Sequence, residues 1–176
     1  MSGTRQLVVL RHAKSAWPEG VPDHDRPLNR RGLRDAPAAG RWLAEAGIRP
    51  DLVLCSTARR TRRTWELAAA ELPAPVPVRH EPRLYGAPED ELLALVRETP
   101  AGVRTLLLVG HNPGAQELVL RLAGEAAGTT LTRAATKFPT SATAVLTWSG
   151  PWSVLRPGCA LLADFAVPRG RPEDRP

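Results

Sequence analysis

Cysteine is nearly absent from this chain. Cys55 and Cys159 are the only two, too few and too far apart for a disulfide framework or a zinc cluster, so both are expected as buried free thiols. Aromatic residues make up 5% of the sequence and most are single tryptophans, which leaves no stacking platform for nucleic-acid bases. The net charge is +6, but the arginines are spread along the chain without a basic tract. Nucleic acid is therefore not an expected partner. No apolar run approaches the roughly 20 residues of a membrane helix, so no membrane partner is expected. The first strand begins within a few residues of Met1, which leaves no room for a secretory signal and favours a cytoplasmic location. No carboxylate cluster suggests a metal, and no cofactor is expected. Neither an internal repeat nor a linker interrupts the chain.

What remains is an ordinary globular composition, 43% hydrophobic and 24% charged over 176 residues, enough for one domain with a sizeable core. That domain is expected over residues 1–167, followed by a frayed, Pro- and Arg-rich tail over 168–176. Leu7-Val8-Val9-Leu10 reads as a strand buried on both faces. A long polar loop, Ser15 to Arg26, leads to a helix over 31–46 with Asn29 as N-cap, Gly47 as its stop and Pro37 awkwardly inside it. Strands follow at 51–56 and near 76–80, and helices at 58–70 and 88–97. The clearest strand, Thr105 to Val109, runs into Gly110-His111-Asn112-Pro113. A helix over 115–122 comes next, with Asn112 as its expected cap. Residues 124–138 carry no assignable pattern. Two closing strands are expected at 143–148 and 160–165.

Alternating strands and helices imply a mostly parallel sheet covered on both faces, an α/β three-layer α/β/α sandwich. Parallel strands bring their C-terminal ends to one edge, where ligands of such sheets bind. The first strand delivers Arg11 and His12 there. The second delivers Ser56, with Arg60 on the following helix, and the fourth delivers His111. Arginine forks suit phosphate oxygens, and histidine can act as nucleophile, base or donor. Taken singly, each is an ordinary solvated residue; their convergence points to an anion site.

The stretches Arg11-His12-Ala13-Lys14-Ser15, Ser56 to Thr64, and Gly110-His111-Asn112-Pro113 resemble the histidine phosphatase superfamily. Its phosphohistidine phosphatase (SixA-like) branch is the most similar, on Asp25-Arg26-Pro27-Leu28-Asn29 with Gly32, Leu84-Tyr85, and Lys137-Phe138-Pro139-Thr140. The resemblance implies a phosphoglycerate mutase-like fold and a metal-independent phosphohydrolase in which His12 is the nucleophile. It implies that Arg11, Arg60 and His111 bind the phosphoryl oxygens, Arg60 rather than Arg59 because the family's arginine lies four residues after the serine. Ala13 stands where the wider superfamily commonly has glycine; alanine at this position is familiar in the SixA-like branch. Many members protonate the leaving oxygen with a carboxyl after the third strand, and Glu81 is the candidate for that general acid.

Lys14 and Ser15 are further candidates for substrate binding, equally readable as solvated loop residues; Arg62 and Arg63 could extend the positive rim but read first as surface residues. His24 and His80 read as surface or strand-end residues. The expected partner is a phosphorylated protein or a small phosphorylated metabolite. A phosphohistidine phosphatase, a nucleotide or sugar phosphatase of the same superfamily, and a non-catalytic phosphate-binding module are the alternative functions. A mutase is disfavoured by the lack of insertions over the pocket.

Overall fold

The computed structural model describes residues 3–173. Its core is one seven-stranded sheet in the order β3-β2-β4-β1-β6-β7-β5. The strands are β1 Thr4–Arg11, β2 Leu52–Cys55, β3 Val78–His80, β4 Thr105–Gly110, β5 Ala123–Ala126, β6 Thr143–Ser149 and β7 Ala160–Ala166. From β3 to β1 every pairing is parallel, β6 runs antiparallel to both β1 and β7, and β5 pairs parallel with β7. The mostly parallel sandwich read from the sequence is the observed architecture.

The apolar runs explain the layering. Alternate residues of a strand face opposite sides of a sheet, so a strand apolar at every position must be covered twice. Leu7, Val9, Leu106 and Leu108 pack on one face against helices α3 Glu89–Arg97 and α4 Gly114–Leu122. Val8, Leu10, Leu107 and Val109 pack on the other against α1 Arg30–Glu45 and α2 Arg59–Ala69. Leu7 to Leu10 are fully buried. The edge strand β3 is three residues long and exposed throughout, a length that limits pairing with another chain.

Helix α1 starts where expected: the Asn29 side chain accepts from Gly32 N at 2.9 Å. It runs unbroken through Pro37, and Gly47 adopts φ +69° just past its end, a conformation glycine takes without strain. A Cβ on Gly32 would collide with the Lys14 carbonyl, and one on Gly40 with that of Ala68. The small residues thus seat α1 against both the loop after β1 and helix α2. Residues 124–138, without a pattern in the sequence, contain most of β5 and a short helix α5 Thr130–Thr136.

Two expectations need correction. The tail is anchored at its start: Arg169 donates to Asp35 at 3.0 Å and to the Thr140 carbonyl at 2.8 Å, and Gly170 N donates to Asp35 at 3.0 Å. Asp35 is buried and needs those donors. The expected fraying of residues 174–176 lies outside the described residues. Both cysteines are free, but only Cys55 is buried, which pushes its thiol up to about 12; Cys159 is half-buried. Among the described residues no helix is long and apolar enough to cross a membrane.

Candidate active site

The register of the parallel strands assembles the site. Arg11 pairs with Gly110 across β1 and β4, and Cys55 with Val109 across β2 and β4. The ladder continues one step past the strands: His12 N donates to Gly110 O at 3.1 Å and Ser56 N to Val109 O at 3.0 Å. His12, Ser56 and His111 therefore sit side by side at one sheet edge. The two imidazole centroids are 5.3 Å apart. Thr64 ties this edge to α2, accepting from Ala13 N at 2.9 Å and donating to the Arg60 carbonyl at 2.7 Å.

His12 Nδ1 lies 2.7 Å from the Ala13 carbonyl. A carbonyl only accepts, so Nδ1 carries the proton and Nε2 keeps its lone pair. Burial pushes the His12 pKa down to about 3, with further lowering from His111, Arg60 and Arg11, against the opposing pull of the Ala13 carbonyl. At neutral pH the ring is uncharged. His111 Nε2 is 2.8 Å from Ser56 Oγ, and burial, then Arg60, lowers its pKa to about 4 despite Asp23.

Arg11 reaches Phe138 O with Nη1 at 2.9 Å, and Asn112 Nδ2 donates to the same carbonyl at 3.0 Å. The N-cap of α4 is Pro113 rather than the expected Asn112; Asn112 accepts from Gln116 N at 3.3 Å in the first turn and otherwise ties across the site. Ser141, at φ +65°, bonds through its N–H to the carbonyls of Arg11 and His12 at 3.1 Å. Its left-handed backbone is the one non-glycine exception among the described residues. Buried Arg60 donates through Nη1 to Asp23 O at 2.7 Å and through Nη2 to Asp23 Oδ2 at 3.1 Å. Among the described residues, Arg11 Nε, Arg60 Nε and His111 Nδ1 are buried without a hydrogen-bond partner. Buried polar nitrogens without partners are costly, but Arg5 Nε and Arg34 Nε share the condition elsewhere in the fold, so the anion site rests on the convergence of Arg11, Arg60 and the two histidines.

Four of the sequence-derived candidates, Arg11, His12, Arg60 and His111, thus come together. Three others do not join them as expected. Ser15 is buried and accepts from Arg26 Nη1 at 3.0 Å, so it braces the loop. Lys14 is exposed, and its carbonyl serves Asn29 N. Glu81 caps the Pro82–Leu84 turn and accepts from Arg83 N, Nε and Nη2, each at 3.0 Å. Those bonds hold its carboxyl below the usual carboxylate range, so it is an ionised cap rather than a poised acid.

Sequence reasoning missed the residues that reach the cations from the other side. Asp23 engages Arg60, Arg26 and Tyr85. The Tyr85 ring meets His111 edge-on at 5.5 Å and His24 at 4.9 Å. His24, read as an ordinary surface residue, lies 2.9 Å from Thr57 Oγ1.

This constellation can be set beside known proteins. The model of the histidine phosphatase superfamily (branch 1) matches residues 7–86. An uncharacterized protein of Mycobacterium tuberculosis is 46% identical over 163 residues, covering 91% of this chain and all of that one. A solved structure of a candidate phosphohistidine phosphatase SixA from Nakamurella multipartitia superposes with TM-score 0.83 at 35% identity, over 95% of this chain and 98% of its own.

The chain belongs to the histidine phosphatase superfamily.

It is a phosphatase with the phosphoglycerate mutase-like fold. A second solved structure, the protein histidine phosphatase SixA complexed with tungstate, matches with TM-score 0.66 at 26% identity, over 94% of this chain and 96% of its own.

Proposed function

We propose that the protein is a metal-independent phosphohistidine phosphatase that works through a phosphorylated His12. The observation that carries this reading is the His12 tautomer: Nδ1–H bonded to the Ala13 carbonyl at 2.7 Å, with an unprotonated Nε2 on a ring 5.3 Å from that of His111 and within the electrostatic reach of Arg60 and Arg11. A neutral imidazole fixed by its far nitrogen is ready to attack phosphorus without first losing a proton. The guanidinium forks of Arg11 and Arg60, with His111 as a neutral imidazole beside them, meet the charge spread over the three equatorial oxygens in the transition state. The two arginines supply the positive charge that a metal provides elsewhere.

In the first step His12 Nε2 donates its lone pair to phosphorus, and the bond to the leaving group breaks with its pair. In the second, water attacks, the P–Nε2 bond breaks, and its pair returns to the ring. The phosphohistidine assignment is supported by the leaving group. With Glu81 committed to Arg83, no general acid stands free at its expected place, and a phosphoramidate needs less protonic help than an alkyl ester. The similarity to SixA structures supports the same substrate class. So does Trp17, 76% exposed on the loop that carries Asp23, since open aromatic surface suits a protein substrate.

The test is phosphate release from a phosphohistidine-bearing protein with p-nitrophenyl phosphate in parallel, EDTA present throughout. Faster release from the protein, abolished in His12→Ala together with a 32P-labelled enzyme intermediate, is the expected result. Fast hydrolysis of small esters with little action on the protein would reassign the enzyme to metabolites. Tight phosphopeptide binding without turnover would make it a binding module.

A further inference from the structure

A carboxylate stands at the mouth of this anion site. Asp23 Oδ2 accepts from Arg60 Nη2 at 3.1 Å and from the Tyr85 hydroxyl, and Oδ1 accepts from Arg26 Nε at 3.0 Å. About half of its side chain is open to solvent, whereas Arg60 is buried. The Tyr85 hydroxyl, with Arg60 and Arg26, holds its carboxyl down to about 2, so it is ionised at working pH. A fixed negative charge there repels a phosphoryl dianion. Arg60 does not need that charge for its position, because the main-chain carbonyl of Asp23 already holds Nη1 at 2.7 Å. The charge calls for a role in what sits beside the phosphoryl group.

We propose that Asp23 is a specificity-determining residue whose carboxylate accepts an N–H from the group leaving phosphorus, favouring imidazole leaving groups over ester oxygens. The proposal rests on the phosphohistidine reading above. In a phosphoimidazole whose second ring nitrogen is protonated, P–N cleavage returns the bonding pair to nitrogen and releases neutral imidazole. His12 Nε2 supplies the pair for the new P–N bond. The proton stays on the second nitrogen throughout, hydrogen-bonded to Asp23. Lacking that proton, the ring would have to leave as an imidazolate anion. A carboxylate stabilises the protonated ring and strengthens its hydrogen bond. An ester oxygen offers only lone pairs, which a carboxylate repels. The rings of Tyr85 and His24, at 83° to one another, flank Asp23 with aromatic surface suited to a flat leaving group.

The experiment compares kcat/KM for phosphoimidazole and for p-nitrophenyl phosphate in the wild type, Asp23→Asn and Asp25→Asn. Asp25 carries the same charge two residues away, and its carboxylate pairs with His24 at 3.5 Å rather than with Arg60. In Asp23→Asn the phosphoimidazole preference is expected to fall about tenfold or more, and inorganic phosphate is expected to inhibit several-fold more tightly as the repulsion is relieved. In Asp25→Asn the preference stays. An unmoved preference in Asp23→Asn, or an equal fall in both variants, overturns the proposal while the phosphohistidine reading stands. A wild type that cleaves the aryl ester but not phosphoimidazole overturns that reading, and this proposal with it.

Discussion

The neutrality of His12 can be measured as acid sensitivity of the fold. Its pKa is pushed down to about 3 by burial, with His111, Arg60 and Arg11 adding to the shift, against about 6.5 in an unfolded chain. The unfolded state therefore takes up a proton that the native state refuses. Stability from this residue is complete above pH 6.5 and is lost as pH falls from there towards 3. At pH 4.5 the native ring is still neutral while the unfolded one is charged. The two-unit interval, at 1.36 kcal/mol per unit, makes the loss between pH 7.5 and 4.5 about 2.7 kcal/mol.

His12→Asn removes the titration and keeps an amide N–H for the Ala13 carbonyl. Urea unfolding of both proteins at pH 7.5 and 4.5, without phosphate, reads the difference directly. The stability gap between wild type and variant is expected to move by about 2.7 kcal/mol in favour of the variant at the lower pH. Parallel losses in the two proteins would mean that native His12 titrates like a solvated imidazole. That result would refute the burial-lowered pKa of His12, and with it a nucleophile that stays neutral below pH 6.5.

Arg60→Lys keeps the charge but loses the planar fork, so kcat/KM on p-nitrophenyl phosphate is expected to fall roughly 10–100-fold; a change below about twofold would remove Arg60 from the phosphoryl contact. Glu81→Gln weakens the cap on the Pro82–Leu84 turn and its pairing with Arg83. It is expected to cost about 1 kcal/mol of stability, while the relative rates of aryl phosphates with good and poor leaving groups stay as in wild type. A selective loss on the poor leaving groups would restore it as the acid. In Gly40→Ala the new Cβ meets the Ala68 carbonyl, so α1 and α2 must part. About 2 kcal/mol of destabilisation, or a thermal midpoint roughly 4–8 °C lower, is expected.

The strand ends were readable because burial on both faces leaves an unmistakable mark. Leu7 to Leu10 and Leu106 to Val109 are apolar at every position and fully buried, and Arg11, His12 and His111 lie where those runs stop or just beyond. The parallel arrangement then followed from the alternation of strands and helices. Residues 124–138 were silent for the converse reason. Strand β5 is Ala-Gly-Glu-Ala, without a branched or aromatic side chain, and its pairing with β7 is a tertiary fact. The second half of the site was hidden by distance. Asp23 meets Arg60 across 37 residues and Tyr85 across 62, and no local pattern reports such contacts. One signal was available: Tyr85 is the only tyrosine in the chain, in a stretch that resembled the family. Glu81 misled because its position after β3 fits an acid, whereas Arg83, two residues on, claims its charge.

A site for a phosphoryl dianion must be strongly positive, and a nucleophilic imidazole must be uncharged. Here the two demands have one physical origin. The cations that await the anion, Arg11 and Arg60, are among those that lower the His12 pKa, and burial acts in the same direction. The Ala13 carbonyl opposes them by favouring the charged ring, yet it is indispensable, because it alone fixes which nitrogen holds the proton. Stripping a cation therefore has two linked consequences: weaker binding of the phosphoryl group and a His12 that protonates at higher pH. In Arg11→Ala the inhibition constant for inorganic phosphate is expected to rise and the acid limb of kcat/KM to shift upward together. Movement of one without the other would separate the two roles that the geometry joins.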